Sequence, residues 1–324
     1  MNAQLSRSLQ SDWAGPLSIV VVGGGAIALL RPSFLSPFNI EVLLLAIATN
    51  TLIALSQMII IGIGQMNLSV GAIGGLGAIA FAGMMQVWGL PPVLAVLAAL
   101  AIGVLGGIVN GYLVARTGIS AFVITLATLS IFKGINLGIT RAQPFYGVPE
   151  SVKAFGNTTF VYPLPWLILP TIIIIALVWY ALNRQRFGRY VLAVGGNSNA
   201  AELSGISVFA TVLRAHALSG FLAALAGVML VARLGIGQPT IGDDWLILSF
   251  AAPVIGGAAL AGGHVSVAGT VLGVAIVAII TQALVLFEID PFLVQVVLGA
   301  LILWAVSANR VREVRMQKSL KRIA

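Results

Sequence analysis

Hydrophobic residues in this chain fall into long unbroken runs, separated by short turns built from Pro, Gly and Asn. Ten runs can be drawn, near residues 14–30, 41–63, 67–88, 91–114, 119–140, 163–182, 211–234, 244–262, 265–288 and 291–307. Most approach the ~20 residues that an α-helix needs to cross a bilayer. Alternating ten-residue segments, the mark of a membrane barrel, are missing. The pattern predicts an all-α polytopic membrane protein of about ten transmembrane helices, one transmembrane domain over residues 1–324. The first apolar stretch ends in Leu-Leu-Arg-Pro-Ser-Phe with no small-x-small cleavage pattern, so it reads as a span that stays rather than a signal peptide.

Composition agrees with the pattern. The chain is 59% hydrophobic and 8% charged, whereas soluble domains are about 25% charged. The net charge of +8 comes from Arg and Lys at predicted membrane faces and is no sign of nucleic-acid binding. No cysteine is present, which excludes disulfides, thiolate catalysis and cysteine metal sites. His216 and His264 each stand alone at the end of a predicted span. They read as interfacial side chains, and no metal site or catalytic constellation is expected.

Arg and Lys also set an expected orientation. With the N-terminus inside, one face collects Arg7, Arg116, Arg184, Arg186, Arg189, Arg214, Arg310, Arg312, Arg315, Lys318, Lys321 and Arg322, twelve in all. The other collects four, Arg31, Arg141, Lys153 and Arg233, together with the acids Glu41, Glu150, Asp243, Asp244, Glu288 and Asp290. Both termini are therefore expected in the cytoplasm. A short N-terminal segment (1–13), a loop at 183–213 and a basic tail (308–324) would lie on that side. The connection from Arg141 to Tyr162 would lie outside, and its Phe145, Tyr146, Phe155, Phe160 and Tyr162 suit an interfacial belt or a docking surface.

The cytoplasmic loop holds an element unlike the rest. Gly195-Gly196 lead in, Asn199 precedes Glu202 at capping-box spacing, and Gly205 follows where a left-handed cap would stand. Such a short helix is unstable alone and calls for a partner surface. A second feature is an internal echo. Ile59–Ala80 and Val254–Ala275 each place a glycine-rich turn before a Ser-Val pair and a Gly/Ala-rich span. Shared descent and shared small-residue composition both account for it.

Charged groups are nearly absent from the spans. Lys133 alone lies well inside one, and no carboxylate is expected mid-membrane to relay protons. Uncharged polar groups are present: Thr49, Asn50, Thr51 and Gln57 in the second span, Asn67 and Ser69 opening the third, Asn110 late in the fourth. In the fifth, Phe122, Thr125, Leu129, Phe132 and Asn136 form a helical stripe, with Thr128 beside it. Such groups line a pathway for a neutral polar solute or bond helices together. No GxxxxGK[ST] run is present. A transporter with neither coupling charges nor a nucleotide site is a passive facilitator or a subunit driven by a partner, and the 195–206 element favours the second.

Four stretches in order resemble one family. They are Asn67–Gly71 (NLSVG), Ala121–Gly134 (AFVITLATLSIFKG), Gly188–Ile206 (GRYVLAVGGNSNAAELSGI) and Gly256–Gly269 (GGAALAGGHVSVAG). The chain resembles the permease subunits of ribose-type ABC sugar importers over about residues 39–308. The resemblance implies a multi-pass protein of the bacterial inner membrane, embedded in lipid, that is a transport subunit and not an enzyme. It implies two permease copies, as homodimer or heterodimer, forming the pathway for a sugar or polyol. It implies a cytoplasmic ATPase, carrying ATP and Mg, docked on Asn197, Asn199, Ala200, Glu202, Leu203 and Gly205, and a periplasmic solute-binding protein outside. One departure stands out: the family's usual acid before Leu-Ser is Asn67 here. The related branched-chain amino acid permease class and a stand-alone facilitator or secondary carrier are the alternative readings.

Overall fold

A computed structural model of the chain describes residues 13–290 and scattered positions from 293 to 307. The expected span at 291–307 lies largely outside the described residues, as do residues 1–12 and the basic tail. The helices are α1 (Ala14–Leu30), α2 (Pro37–Gly62), α3 (Val70–Trp88), α4 (Pro92–Thr117), α5 (Ala121–Thr140), α6 (Glu150–Asn157), α7 (Ile168–Asn183), α8 (Arg186–Gly196), α9 (Ser198–Leu203), α10 (Val208–Leu234), α11 (Trp245–Ile255) and α12 (Val267–Leu286). A two-stranded antiparallel hairpin, β1 (Thr159–Val161) and β2 (Leu164–Pro165), lies between α6 and α7. The protein is thus all-α and polytopic. Among the described residues, α2, α3, α4, α5, α10 and α12 are long and apolar enough to cross a membrane. The pair α7 and α8, bent by 66°, makes a seventh if counted as one broken span.

Local chemistry sets the helix ends. Ser36 caps α2, its hydroxyl accepting from the Asn39 amide at 3.4 Å, with Pro37 in the first turn. Glycines in the left-handed region stop α3, α4 and α10 at Gly89, Gly118 and Gly235. At the centre stands α10, packed on α4, α3 and α2. The approach to α4 is backbone to backbone: a Cβ at Gly220 would overlap the Gly103 carbonyl. Small residues serve this purpose in membranes, where dispersion and close contact replace the hydrophobic drive.

The expected span at 244–262 is not there as one helix. Its helix, α11, has eleven residues, about 16 Å at 1.5 Å per residue, too short to cross a bilayer. Gly257 (φ +91°) and the glycines after it end α11 early. The chain instead reaches α11 by an irregular descent from the end of α10. Phe145 and Gly237 exchange backbone hydrogen bonds at 2.9 and 2.8 Å. Beyond them Gly237 lies against Ala82, the Ile241 carbonyl against Gly75, and Gly242 against Gly71. From Ala82 to Gly71 the axis of α3 advances about 16 Å. Residues 237–244 therefore run down inside the bundle, and α11 starts at depth. Irregular backbone at such depth requires protein around it, which α3 and α5 supply.

Candidate functional site

The polar residues within the spans separate into two regions. The first is a closed network. Ser56 and Ser219 hydroxyls lie 2.9 Å apart, and the Asn67 amide donates to Ser219 Oγ at 3.3 Å. Asn67 Oδ1 accepts from the Ser69 amide (3.0 Å) and hydroxyl (2.8 Å). Asn110 Nδ2 donates to Ser69 Oγ at 2.7 Å. Thr125 Oγ1 accepts from the Leu68 amide at 3.0 Å and donates to the Ala121 carbonyl at 2.7 Å. With its amide turned to suit its neighbours, Gln57 donates to the Asn67 carbonyl (2.9 Å) and accepts from the Asn67 amide (3.2 Å). Ser56, Gln57, Asn67, Ser69, Asn110, Thr125 and Ser219 are all fully buried within the single chain. Buried and bonded, they tie α2, α3, α4, α5 and α10 together.

The rest of the α5 stripe is divided. Thr128 is buried and bonds the Thr125 carbonyl at 3.3 Å, and Asn136 is buried and donates to the Pro239 carbonyl at 3.1 Å. Phe122 is exposed and lines a cavity beside the α8–α9 turn, while Leu129 is partly buried. His216, expected at an interface, is fully buried with Nε2 3.0 Å from Gln65 Oε1. It sits one turn before Ser219 on the central helix, on the side packed against α4 at Gly107 and Gly111.

The second region is an open cavity of about 300 Å³ between α2, the end of α10, the descending segment and α11. Thr49, Asn50, Arg233, Gln238, Asp244 and Trp245 line it. Asn50 is fourteenth of the twenty-six residues of α2, so the cavity lies near the middle of the span. Among the described residues, the side chains of Asn50, Arg233, Gln238 and Asp244 have no hydrogen-bond or ion-pair partner. Beside it, Lys133 of α5 pairs with Asp243 at 2.9 Å, both side chains over 40% exposed. This corrects the expectation that no carboxylate lies within the membrane, because the descent carries Asp243 and Asp244 inward from the face assigned to them by loop order.

The loop element is also resolved. Asn197, not Asn199, caps α9: its Oδ1 accepts from the Ala200 amide at 3.0 Å. Asn199 and Ala200 lie in the first turn of the helix, and Gly205 has φ +81° just past its end, as expected. Ala201 is buried, whereas Asn199, Glu202 and Leu203 are exposed, Leu203 at 91%. The approach to α9 is anchored by glycine backbones. Gly195 lies on the Gly62 carbonyl and the Gly263 amide, Gly263 on Gly196, and Gly262 on Gly64. The Gly263 amide donates to the Gly62 carbonyl at 3.1 Å. The two echoing turns therefore touch each other and the base of the α9 element. A cavity of about 720 Å³ opens there, lined by Gln65, Ser120, Phe122, Asn197, Ser198 and Ala261 among others.

Comparison with known proteins decides the family. A family model described as branched-chain amino acid transport system / permease component matches residues 39–306. The ribose import permease protein RbsC of Bacillus subtilis is 38% identical over 287 residues, 88% of each chain. The fructose import permease protein FrcC of Rhizobium meliloti is 34% identical over 93% of this chain and 86% of its own. The D-allose transport system permease protein AlsC of Escherichia coli is 33% identical over 91% and 89%. The chain belongs to the ribose-type ABC sugar permeases. No solved structure matches it. The permease is a transport subunit rather than an enzyme, and a multi-pass protein of the bacterial inner membrane.

Reading the permease by residue type found Asn50 but missed Arg233, Gln238, Asp244 and the Lys133–Asp243 pair. A signal was present. The run Gly235–Asp244 (GIGQPTIGDD) is polar and glycine-rich, and only the eleven mostly apolar residues of α11 separate it from Gly256-Gly257. Such an interrupted apolar segment marks a discontinuous span.

Proposed function

We propose that the permease forms half of a translocation pathway for a sugar or polyol, driven by a cytoplasmic ATPase that docks on α9. Both termini and the α9 loop lie in the cytoplasm on this reading, following the twelve-to-four bias of Arg and Lys. A second permease copy completes the pathway, and a periplasmic binding protein delivers solute to the opposite face. ATP and Mg belong to the ATPase. The observation that carries the reading is α9 itself: a six-residue helix with an apolar tip, Leu203, in open solvent and a base resting on both glycine turns. A helix this short needs a surface to hold it. A partner that shifts α9 moves Gly195 and Gly196, and with them the turns that begin α3 and α12.

The glycine contacts matter because they leave no slack. Rigid backbone contacts transmit a displacement that flexible side chains would absorb. The cavity beside Gln65 and Asn197 lies at this junction, so closing or opening it is the expected consequence of moving α9. Lipid covers the outer surface. An apolar groove of about 600 Å³ lined by Leu76, Met84, Trp88, Leu105 and Phe132 offers a seat for acyl chains.

The test is uptake of radiolabelled sugar into proteoliposomes holding the permease, its ATPase and its binding protein. Glu202→Arg and Leu203→Asp are expected to reduce ATP-driven uptake to background while the permease elutes as a folded species. Uptake that survives both changes, or that proceeds without the ATPase, contradicts the docking.

A further inference from the structure

The cavity around Asn50 differs from the network around Asn67 in that its polar side chains face one another across empty space. Asn50 approaches from the middle of α2, Gln238 and Asp244 from the descending segment, Arg233 from the end of α10. Trp245, nearly buried, forms part of the wall and is braced by Gly74. Unpartnered polar groups inside a bilayer are costly and are kept where they serve a pathway. Discontinuous helices that begin near the midplane recur at the solute sites of membrane transporters. The cavity, about 300 Å³, is at the lower end of the range for small-molecule sites.

We infer that this cavity is a subsite at which solute rests within the membrane, and that its ligand is a neutral polyhydroxylated molecule of monosaccharide size. The inference rests on the reading of the chain as a sugar permease and adds a place of contact to it. The chemistry selects the class. Asn50 and Gln238 each present donors and an acceptor, Arg233 donors only, Asp244 acceptors only. Hydroxyl groups, which donate and accept at once, match such a mixture. With Arg233 and Asp244 both in its lining, the cavity carries no net charge that would favour an anionic or a cationic solute. A zwitterionic amino acid would engage both charges but press its aliphatic side chain on the amides of Asn50 and Gln238, leaving them unsatisfied.

The experiment uses the complete transporter in proteoliposomes, with D-ribose, D-fructose, D-allose and D-galactose as probes and L-leucine as counter-probe. With the sugar that the natural permease accumulates, Asn50→Leu, Gln238→Leu and Asp244→Asn are each expected to lower ATP-driven uptake at least about tenfold, while binding-protein-stimulated ATP hydrolysis stays within about twofold. Because the chain has no cysteine, Gln238→Cys gives a single thiol. Its reaction with a hydrophilic methanethiosulfonate is expected to slow at least about threefold when the transported sugar is supplied, and not with leucine. Unchanged uptake in all three variants overturns the subsite, as does a thiol that is unreactive or unprotected. Accumulation of leucine in place of every sugar overturns the permease reading and the subsite together.

Discussion

Asn50 and Asn67 flank the same glycine turn, one in the middle of α2 and one just before α3, yet they sit in opposite surroundings. Around Asn67 every amide and hydroxyl of the chain Ser56–Ser219–Asn67–Ser69 finds a partner within 3.3 Å, and no solvent reaches them. Around Asn50 the amide, guanidinium and carboxylate groups line an open space and bond to no other described residue. Residue types are shared, but geometry is not. In the first region the polar groups bond one another, with Asn110 Oδ1 the one member atom left without a partner among the described residues, and this fixes how five helices pack. In the second their capacity is kept for something that arrives. The contrast teaches that an amide inside a span acquires its role from the completeness of its hydrogen bonding, not from its chemistry alone.

The comparison breaks most visibly where the two regions are coupled. Both are built in part on α2, which ends at the junction of Gly62, Gly195 and Gly263, and a side chain there has no room because Gly195 lies on the Gly62 carbonyl. Gly195→Val is expected to abolish sugar uptake in proteoliposomes while the permease still binds its ATPase in a pull-down. Uptake near the natural level would show that the turns need not move together with α9.

The next effect concerns the ion pair at the edge of the open region. Lys133 and Asp243 meet at 2.9 Å in a part of the bundle where a lone charge costs ~2.5–3.5 kcal/mol on insertion scales. Lys133→Met leaves Asp243 alone and is expected to lower the melting temperature in detergent. Lys133→Met with Asp243→Asn is expected to recover most of the loss. A double variant no more stable than the single one would mean that the pair contributes through something other than charge neutralisation.

A smaller change is expected in the closed region. Asn110→Leu removes the donor to Ser69 Oγ, which keeps its bond to Asn67 Oδ1, so the loss is that of one hydrogen bond, about 0.5–1.5 kcal/mol. Thermal unfolding in detergent reads the loss. Uptake per folded molecule is expected to stay within about twofold, since no atom of Asn110 is exposed. A tenfold loss of uptake with unchanged stability would place Asn110 on the pathway instead. The least effect belongs to Thr281→Val on α12, whose hydroxyl, among the described residues, bonds only the Val277 carbonyl of its own helix at 2.9 Å. A shift within about 0.5 kcal/mol is expected by the same melt.

Much of the fold was legible because apolar runs of bilayer length have few alternatives. Pro stands at the starts of α2 and α4, Ser hydroxyls cap α10 and α12, and Gly follows the ends of α3, α4 and α10. The descent from Gly237 to Asp244 was not legible in the same way. A polar, glycine-rich run between two apolar ones reads as an external loop, and its depth depends on Gly71, Gly74 and Gly75 making room for it. The site was legible only by residue type. Asn50, Asn67, Ser69, Asn110, Thr125 and Asn136 are all candidates by type, with the α5 stripe favoured, because sequence reports which groups are polar and not which of them meet. The α9 cap shows the same limit on a smaller scale: Asn197 and Asn199 have the same side chain two residues apart, and the turn geometry selects the first.

The most direct test of the contrast is the reactivity of one thiol against another. Asn50→Cys and Asn67→Cys, each in the otherwise cysteine-free permease within the complete transporter, are exposed to a small hydrophilic methanethiosulfonate. The thiol at 50 is predicted to react at least about tenfold faster than the thiol at 67. Equal rates, or a faster thiol at 67, would contradict the division of this membrane domain into a closed structural network and an open solute-facing cavity.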